Sequence, residues 1–253
     1  MSKPERPHAL ITGGGGGIGL AAAHALAASG VKLTLVGRDA AKIARAAEAV
    51  GGANAISADV TDEAAIKAAF EAAHATHGPI DILINNAGAA PSAPFRDTDL
   101  ALWNATLAVN LTGAFLCARA ALPHMLEAKW GRIVNVASVA GLKGYAYVSA
   151  YCAAKHGLVG LTRALAHETA KHGVTVNAVC PGYVETEIVA ESIARLTQKT
   201  KLDEAGARAS LVAFNPQARM IDPREVAAAI AFLCSEDAAA INGAAIPISG
   251  GEI

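Results

Sequence analysis

"ITGGGGGIGL", Ile11 to Leu20, sets five glycines in a row a dozen residues into the chain. "HALIT" precedes the run and "IGLAAAHALAAS" follows it, so the glycines join a strand to a helix rather than two polar segments. In that setting glycines allow a tight turn. They also let a pyrophosphate approach the backbone at a helix N-terminus, where free N–H groups favour anions. Because the glycines are contiguous, two registers fit: GxGxxG on Gly14, Gly16 and Gly19, and TGxxxGxG on Thr12, Gly13, Gly17 and Gly19.

Working outward, short apolar runs alternate with alanine-rich amphipathic ones. "HALIT", "VKLTLV", "NAISADV", "IDILINNA", "GRIVNVAS", "VTVNAVC" and "AAIPIS" read as strands. Strands separated by helices predict an α/β fold, a parallel sheet covered on both faces. Helix starts are marked by Asp39, by Thr61, and by Asp222 followed by Pro223 and Glu225. No repeat, linker or charge block divides the 253 residues, so one domain is expected. Two places interrupt the alternation. Asp99 to Trp130 is a long helical stretch in which Asn110, Gly113 and Pro123 predict a break. Residues 187–218 form a polar, mixed-charge insertion, expected to be a substrate lid.

Composition narrows the function. Net charge is -1 without a Lys/Arg cluster, which argues against nucleic acid and anionic membranes as partners. No run approaches a membrane span, and the opening "MSKPERPH" is polar and unlike a signal peptide. Cys117, Cys152, Cys180 and Cys234 are scattered without metal-ligand spacing, so reduced thiols of a cytoplasmic protein are expected.

At the end of the second strand, "LVGRDAAK" places Gly37 where a ribose-binding carboxylate would stand, and Arg38 follows. An arginine there pairs with a 2′-phosphate, which favours NADP(H) over NAD(H). Asp39, the competing carboxylate, suits an N-cap. "YCAAK" puts Tyr151 and Lys155 one helical turn apart, and Ser138 closes the strand "GRIVNVAS". Together they suit proton transfer to a carbonyl oxygen. Tyr151 is general acid or base, Ser138 hydrogen-bonds the substrate oxygen, and the Lys155 ammonium with an oxidised nicotinamide would make the phenol more acidic. That chemistry needs no metal.

These residues make the chain resemble the short-chain dehydrogenases/reductases along essentially its whole length, through "TGGGGGIG", "ADV", "NNAG", Asn110, Ser138, "YCAAK" and "PGYVET". The resemblance selects the TGxxxGxG register and implies a single-domain, seven-stranded doubly wound Rossmann sheet. It implies a cofactor site of Thr12, Gly13, Gly17, Ile18, Gly19 and Arg38. Asp59 and Val60 would hold the adenine, and Asn85, Ala87 and Gly88 would line the ribose. Tyr151, Lys155, Pro181, Gly182, Val184 and Thr186 would meet the nicotinamide end. Asn110 would hold a water linking Lys155 to solvent, and the assembly would be a homotetramer. Two residues depart from the pattern: Gly16 stands where NADP-using relatives often have a basic residue, and Ser249 where aspartate is common.

For the substrate, Leu142, Tyr145, Tyr147 and Tyr183 are candidate walls of an apolar pocket. The stretch from "NVAS" to "AVCPGYVET" resembles 3-oxoacyl-thioester reductases and polyketide ketoreductases, which implies a 3-oxoacyl or 3-hydroxyacyl thioester. The alternative is a small cyclic or aryl secondary alcohol oxidised with NAD. Arg195, Lys199, Lys201 and Arg208 could meet the phosphates of a carrier arm, or form a solvated lid face. Competing readings are a thiol hydrolase on Cys152 and His156, a metal site on His74 and His77, and a scaffold or sensor that binds the cofactor without turnover.

Overall fold

The computed structural model describes residues 4–253; Met1 to Lys3, the beginning of the polar opening stretch, lie outside the described residues. Seven parallel strands follow the apolar runs: β1 (His8–Thr12), β2 (Lys32–Gly37), β3 (Asn54–Ser57), β4 (Ile82–Asn85), β5 (Gly131–Val136), β6 (Val174–Pro181) and β7 (Ala245–Ile248). Their spatial order is β3-β2-β1-β4-β5-β6-β7. Successive residues point to opposite faces, so Ala9 and Ile11 pack on one side of the sheet and Leu10 on the other.

The first face is covered by α1 (Gly17–Ala28), α2 (Ala40–Ala49) and, further along the chain, α9 (Pro223–Leu233). The other carries α3 (Glu63–His77), α5 (Gly113–Ala128) and α6 (Ser149–Thr169). Leu10, Ile11, Leu35, Leu83, Ile84 and Ile133 are fully enclosed between these layers. Each such side chain contributes about 1.5–3 kcal/mol relative to exposure.

Helix starts follow local chemistry. The Asp39 carboxylate accepts from the Lys42 amide at 2.9 Å, and Asp222 forms a capping box with Glu225. The third start differs from the sequence expectation. Thr61 gives its amide and hydroxyl to Asp59, so Asp62 caps α3 by accepting from Ala64 and Ala65.

The break expected between Asp99 and Trp130 is a π turn, Ala108–Thr112, between α4 (Leu100–Leu107) and α5. Because helix continues through the turn, Leu100–Ala128 is long and apolar enough to cross a membrane, contrary to the expectation that no run approaches that length. It packs here on the sheet and on α6, with Met125 fully enclosed in the core. The insertion at 187–218 is more ordered than its weak periodicity suggests. α7 (Glu187–Lys199) and α8 (Glu204–Val212) share a small apolar cluster of Val189, Ile193, Ala207 and Leu211. A parallel bridge between Val184 and Ile221 closes its base.

Candidate active site

Strand order reverses between β1 and β4, and the glycine loop lies at the carboxyl end of β1 beside that crevice. Gly13 and Gly17 adopt φ of 64° and 51°, and a Cβ on Gly19 would stand 2.4 Å from the Gly13 carbonyl oxygen. These are the glycines of the TGxxxGxG register. The loop is already fastened to the end of β4. Thr12 Oγ1 accepts from the amides of Asn86 and Ala87 at 3.0 and 3.1 Å, while Asn86 Nδ2 donates to the carbonyls of Thr12 and Gly13. Sequence reasoning passed over Asn86, the second asparagine of "NNAG".

Asn85 turns the other way. Its Nδ2 donates to Asn135 Oδ1 at 2.9 Å and to the Ala114 carbonyl, tying β4 to β5 and α5, so its side chain does not line the crevice. Val60 packs under Gly113, and hydrogen bonds from Thr61 hold the Asp59 carboxyl below its usual range. Ile18 lies in the first turn of α1, and Ala87 and Gly88 follow β4. Beyond β6, Gly182 and Val184 lead to Thr186, whose methyl would lie 3.0 Å from a Cβ on Gly17. Bare backbone at Gly13, Gly17 and Gly19, where an added side chain would clash or be strained, fits a dinucleotide pyrophosphate.

Ser138 lies just past β5, and Tyr151 and Lys155 occupy successive turns of α6. Ser138 lies close enough to the Tyr151 hydroxyl to lower its pKa, and Ser138 Oγ accepts from the Ala140 amide at 3.1 Å. Lys155 Nζ donates to the Val136 carbonyl at 2.8 Å and lies 5.6 Å from the centre of the Tyr151 ring. Asn110 sits inside the π turn. Its Nδ2 donates to the carbonyls of Ala89 and Thr106, and its Oδ1 accepts from the Ala89 amide. A Cβ on Gly88 would stand 2.7 Å from Asn110 Oδ1 and 3.6 Å from Lys155 Nζ, so these three residues share one floor.

Burial decides the ionisation. It pushes Tyr151 up to about 12, against the lowering effect of Ser138, and pushes Lys155 down to about 8. For the lysine this corresponds to about 3 kcal/mol against the charged form. The greater acidity expected for Tyr151 depends on a bound nicotinamide; in the free protein the phenol is pushed the other way. Desolvation outweighs its neighbours and keeps the phenol protonated.

On the substrate side, Tyr145 and Tyr183 are brought together by Phe214, with ring centres 5.8 and 5.7 Å from it. Tyr183 lies close enough to Tyr151 to oppose its ionisation. The Tyr145 hydroxyl donates to Glu252, whose Oε1 also lies 3.1 Å from Lys143 Nζ. The Glu252 side chain is only 3% exposed, and burial followed by this carboxylate drives the Tyr145 pKa up. Lys143, Phe214 and Glu252 were not among the sequence candidates.

Two candidates are not brought to this wall. Leu142 packs into an apolar cluster with Leu158 and Ala178. Tyr147 is 66% exposed, with a left-handed φ of 68° and its carbonyl accepting from the Ala93 amide. Two cations of the 187–218 segment are also engaged. Arg195 donates to the Ala90 carbonyl, and Arg208 pairs with Glu185.

Of the competing readings, the thiol and histidine pairs find other partners. His156 Nδ1 donates to the Cys152 carbonyl at 2.9 Å, so the imidazole is directed at backbone rather than thiol. His77 packs edge-on against His8, and among the described residues no three metal-ligating side chains gather. A recess of about 440 Å³ bounded by Arg163, His167 and Asn242 lies by the start of β7, at the opposite end of the sheet from Tyr151.

The sequence pattern of the short chain dehydrogenases matches residues 7–197. The chain belongs to the short chain dehydrogenase family. This short chain dehydrogenase is 42% identical over 248 residues to D-beta-hydroxybutyrate dehydrogenase of Cupriavidus necator, covering 96% of each chain. It is 40% identical over 255 residues to the granaticin polyketide synthase putative ketoacyl reductase 1 of Streptomyces violaceoruber, covering 97% of this chain and 93% of the other. Among solved structures it matches a point variant of actinorhodin polyketide ketoreductase with NADPH, with a TM-score of 0.95 and 34% identity, covering 100% of this chain and 99% of the other. As a member of this family it is an oxidoreductase that interconverts secondary alcohols and ketones with a nicotinamide dinucleotide.

Proposed function

We propose that the protein is an NADP(H)-dependent ketoreductase of 3-oxoacyl and 3-hydroxyacyl thioesters. Residues 1–253 form one catalytic domain, with 187–218 as its substrate lid. The observation that carries the reaction type is the grouping of Ser138, just past the carboxyl end of β5, with Tyr151 and the buried Lys155 ammonium on successive turns of α6.

A dinucleotide on the glycine loop would supply hydride to the carbonyl carbon, or take it from the alcohol. Ser138 holds the substrate oxygen. Tyr151, kept protonated by burial, gives its proton to that oxygen during reduction and recovers it in the reverse direction. Lys155 stabilises the phenolate left behind, and its bond to the Val136 carbonyl fixes its position. Asn110, held at both ends of its amide by Ala89, borders Lys155 and is the residue through which a water would reach it.

Three features support NADP(H). Gly37 ends β2 without a carboxylate, Asp39 is engaged as the cap of α2, and Arg38 is exposed beside them. The actinorhodin structure carries NADPH. The thioester reading is supported by the likeness to two polyketide ketoreductases over almost the whole chain. The aromatic wall of Tyr145, Tyr183 and Phe214 favours the second reading, a compact cyclic or aryl secondary alcohol. Exposed apolar surface on the long helix, including Phe115 at 42%, supports a homotetramer, and four free cysteines support a cytoplasmic setting.

A panel of 3-oxoacyl thioesters, cyclic ketones and secondary alcohols, assayed separately with NADPH and NADH, tests these assignments. Thioesters ignored while cyclic substrates react would install the second reading, and a clear preference for NADH would remove the NADP(H) assignment. Tyr151→Phe is expected to lower kcat for ketone reduction at least about a thousandfold with the dinucleotide Kd little changed. A wild type that binds NADPH and consumes no ketone would make the protein a scaffold.

A further inference from the structure

Lys42 reaches across the glycine loop. It belongs to the first turn of α2, and its stem fills space that side chains at Gly15 and Gly16 would otherwise occupy. A Cβ on Gly15 would stand 3.2 Å from Lys42 Cγ, and one on Gly16 would stand 3.5 Å from Nζ. The ammonium therefore lies on the rim of the loop, on the same side as the end of β2, where Arg38 is exposed. Two cations there border the place where the adenosine end of a dinucleotide rests in such a sheet.

The partner of Lys42 comes from far away in sequence. Glu187, in the first turn of α7, forms an ion pair with it, and its Oε1 would lie 3.7 Å from a Cβ on Gly16. The preceding Thr186 rests on Gly17. The pair thus bridges the nucleotide loop and the helical excursion. The two side chains are 34% and 72% exposed, so the pair is weak and exchangeable, whereas a phosphate dianion forms charge-assisted bonds of roughly twice the usual strength.

We propose that Lys42 joins Arg38 in receiving the 2′-phosphate of NADP(H), and that Glu187 holds Lys42 until the phosphate displaces it. This rests on the NADP(H) reading above. Binding of a 2′-phosphorylated dinucleotide releases the first turn of α7, whereas a dinucleotide lacking that phosphate leaves the bridge closed.

The test uses adenosine 2′,5′-bisphosphate and adenosine 5′-monophosphate, titrated calorimetrically into the full-length wild type, Lys42→Met, Lys42→Arg, Glu187→Gln and Arg38→Met. Lys42→Met is expected to weaken the bisphosphate about tenfold to a hundredfold and leave the monophosphate within about twofold. Lys42→Arg should restore most of the loss, and Glu187→Gln should tighten the bisphosphate severalfold. In the wild type the bisphosphate, and not the monophosphate, should speed amide exchange over residues 187–190. Equal weakening of both ligands by Lys42→Met, or of neither, overturns the assignment. A 2′-phosphate preference abolished by Arg38→Met and untouched by Lys42→Met would leave the cofactor reading standing and remove Lys42. A wild type without any such preference removes both.

Discussion

The two sides of the crevice are built differently. On the nucleotide side, bare peptide at Gly13 and Gly19 is the wall, fastened to the end of β4 by two short side chains, Thr12 Oγ1 and Asn86 Nδ2, bonded to backbone amides and carbonyls. On the substrate side the wall is side chains: Tyr145, Tyr183 and Phe214 in ring contact, with Glu252 clamped between Tyr145 and Lys143. Peptide geometry tolerates almost no substitution, because an added Cβ meets atoms that cannot move. Side chains can be exchanged while the sheet beneath them stays intact, so specificity can vary on that side without endangering the fold.

The largest expected effect falls on the nucleotide side. Gly19→Ala forces a methyl to 2.4 Å from the Gly13 carbonyl oxygen and should weaken dinucleotide binding at least about a hundredfold by fluorescence titration. Unchanged affinity would show that the loop is not a rigid cradle. On the substrate side, Glu252→Ala should raise KM for the ketone about tenfold, with the dinucleotide Kd unaltered, because it removes only the partner of Tyr145 and Lys143. If both constants moved together, the division between the two sides would fail.

A smaller effect comes from Lys155, which serves both sides. With its pKa near 8 and that of Tyr151 near 12, ketone reduction should lose the help of the ammonium severalfold as pH rises through 8. Binding and rate profiles of wild type and Lys155→Met would assign that limb to the lysine if only the variant lacks it. Stability runs the other way. The unfolded lysine titrates near 10.5, so between pH 8 and 10.5 the unfolded chain binds more protons, and this group's contribution to stability rises with pH.

The same division explains what could be read in the sequence. The seven strands, the Asp39 cap and the Asp222–Glu225 capping box depend on neighbours within a few residues, where spacing and side-chain chemistry are visible, whereas local spacing left two glycine registers open and only the family resemblance chose between them. Ser138, Tyr151 and Lys155 were legible because a strand end and a single helical turn present them together. Lys42 with Glu187 and Tyr145 with Glu252 were not, since the partners are 145 and 107 positions apart and only the folded chain joins them. Phe214 lay in the segment with the weakest apolar periodicity, so nothing local marked it as part of a wall. The orientation of Asn85 was hidden for a related reason: it is the last residue of β4 and Asn86 the first beyond it, so the two side chains face opposite ways and only one meets the loop.

The π turn at Ala108–Thr112 amounts to one extra residue wound into a helix that is otherwise regular on either side. Deleting a single residue there would restore uniform winding, yet it would rotate the whole upstream segment by about 100° about its axis. Leu100 and Trp103 would change azimuth, and Asn110 would lose its grip on Ala89. A change that makes the local geometry more ideal would thereby uncouple this helix from the loop beneath the reaction centre.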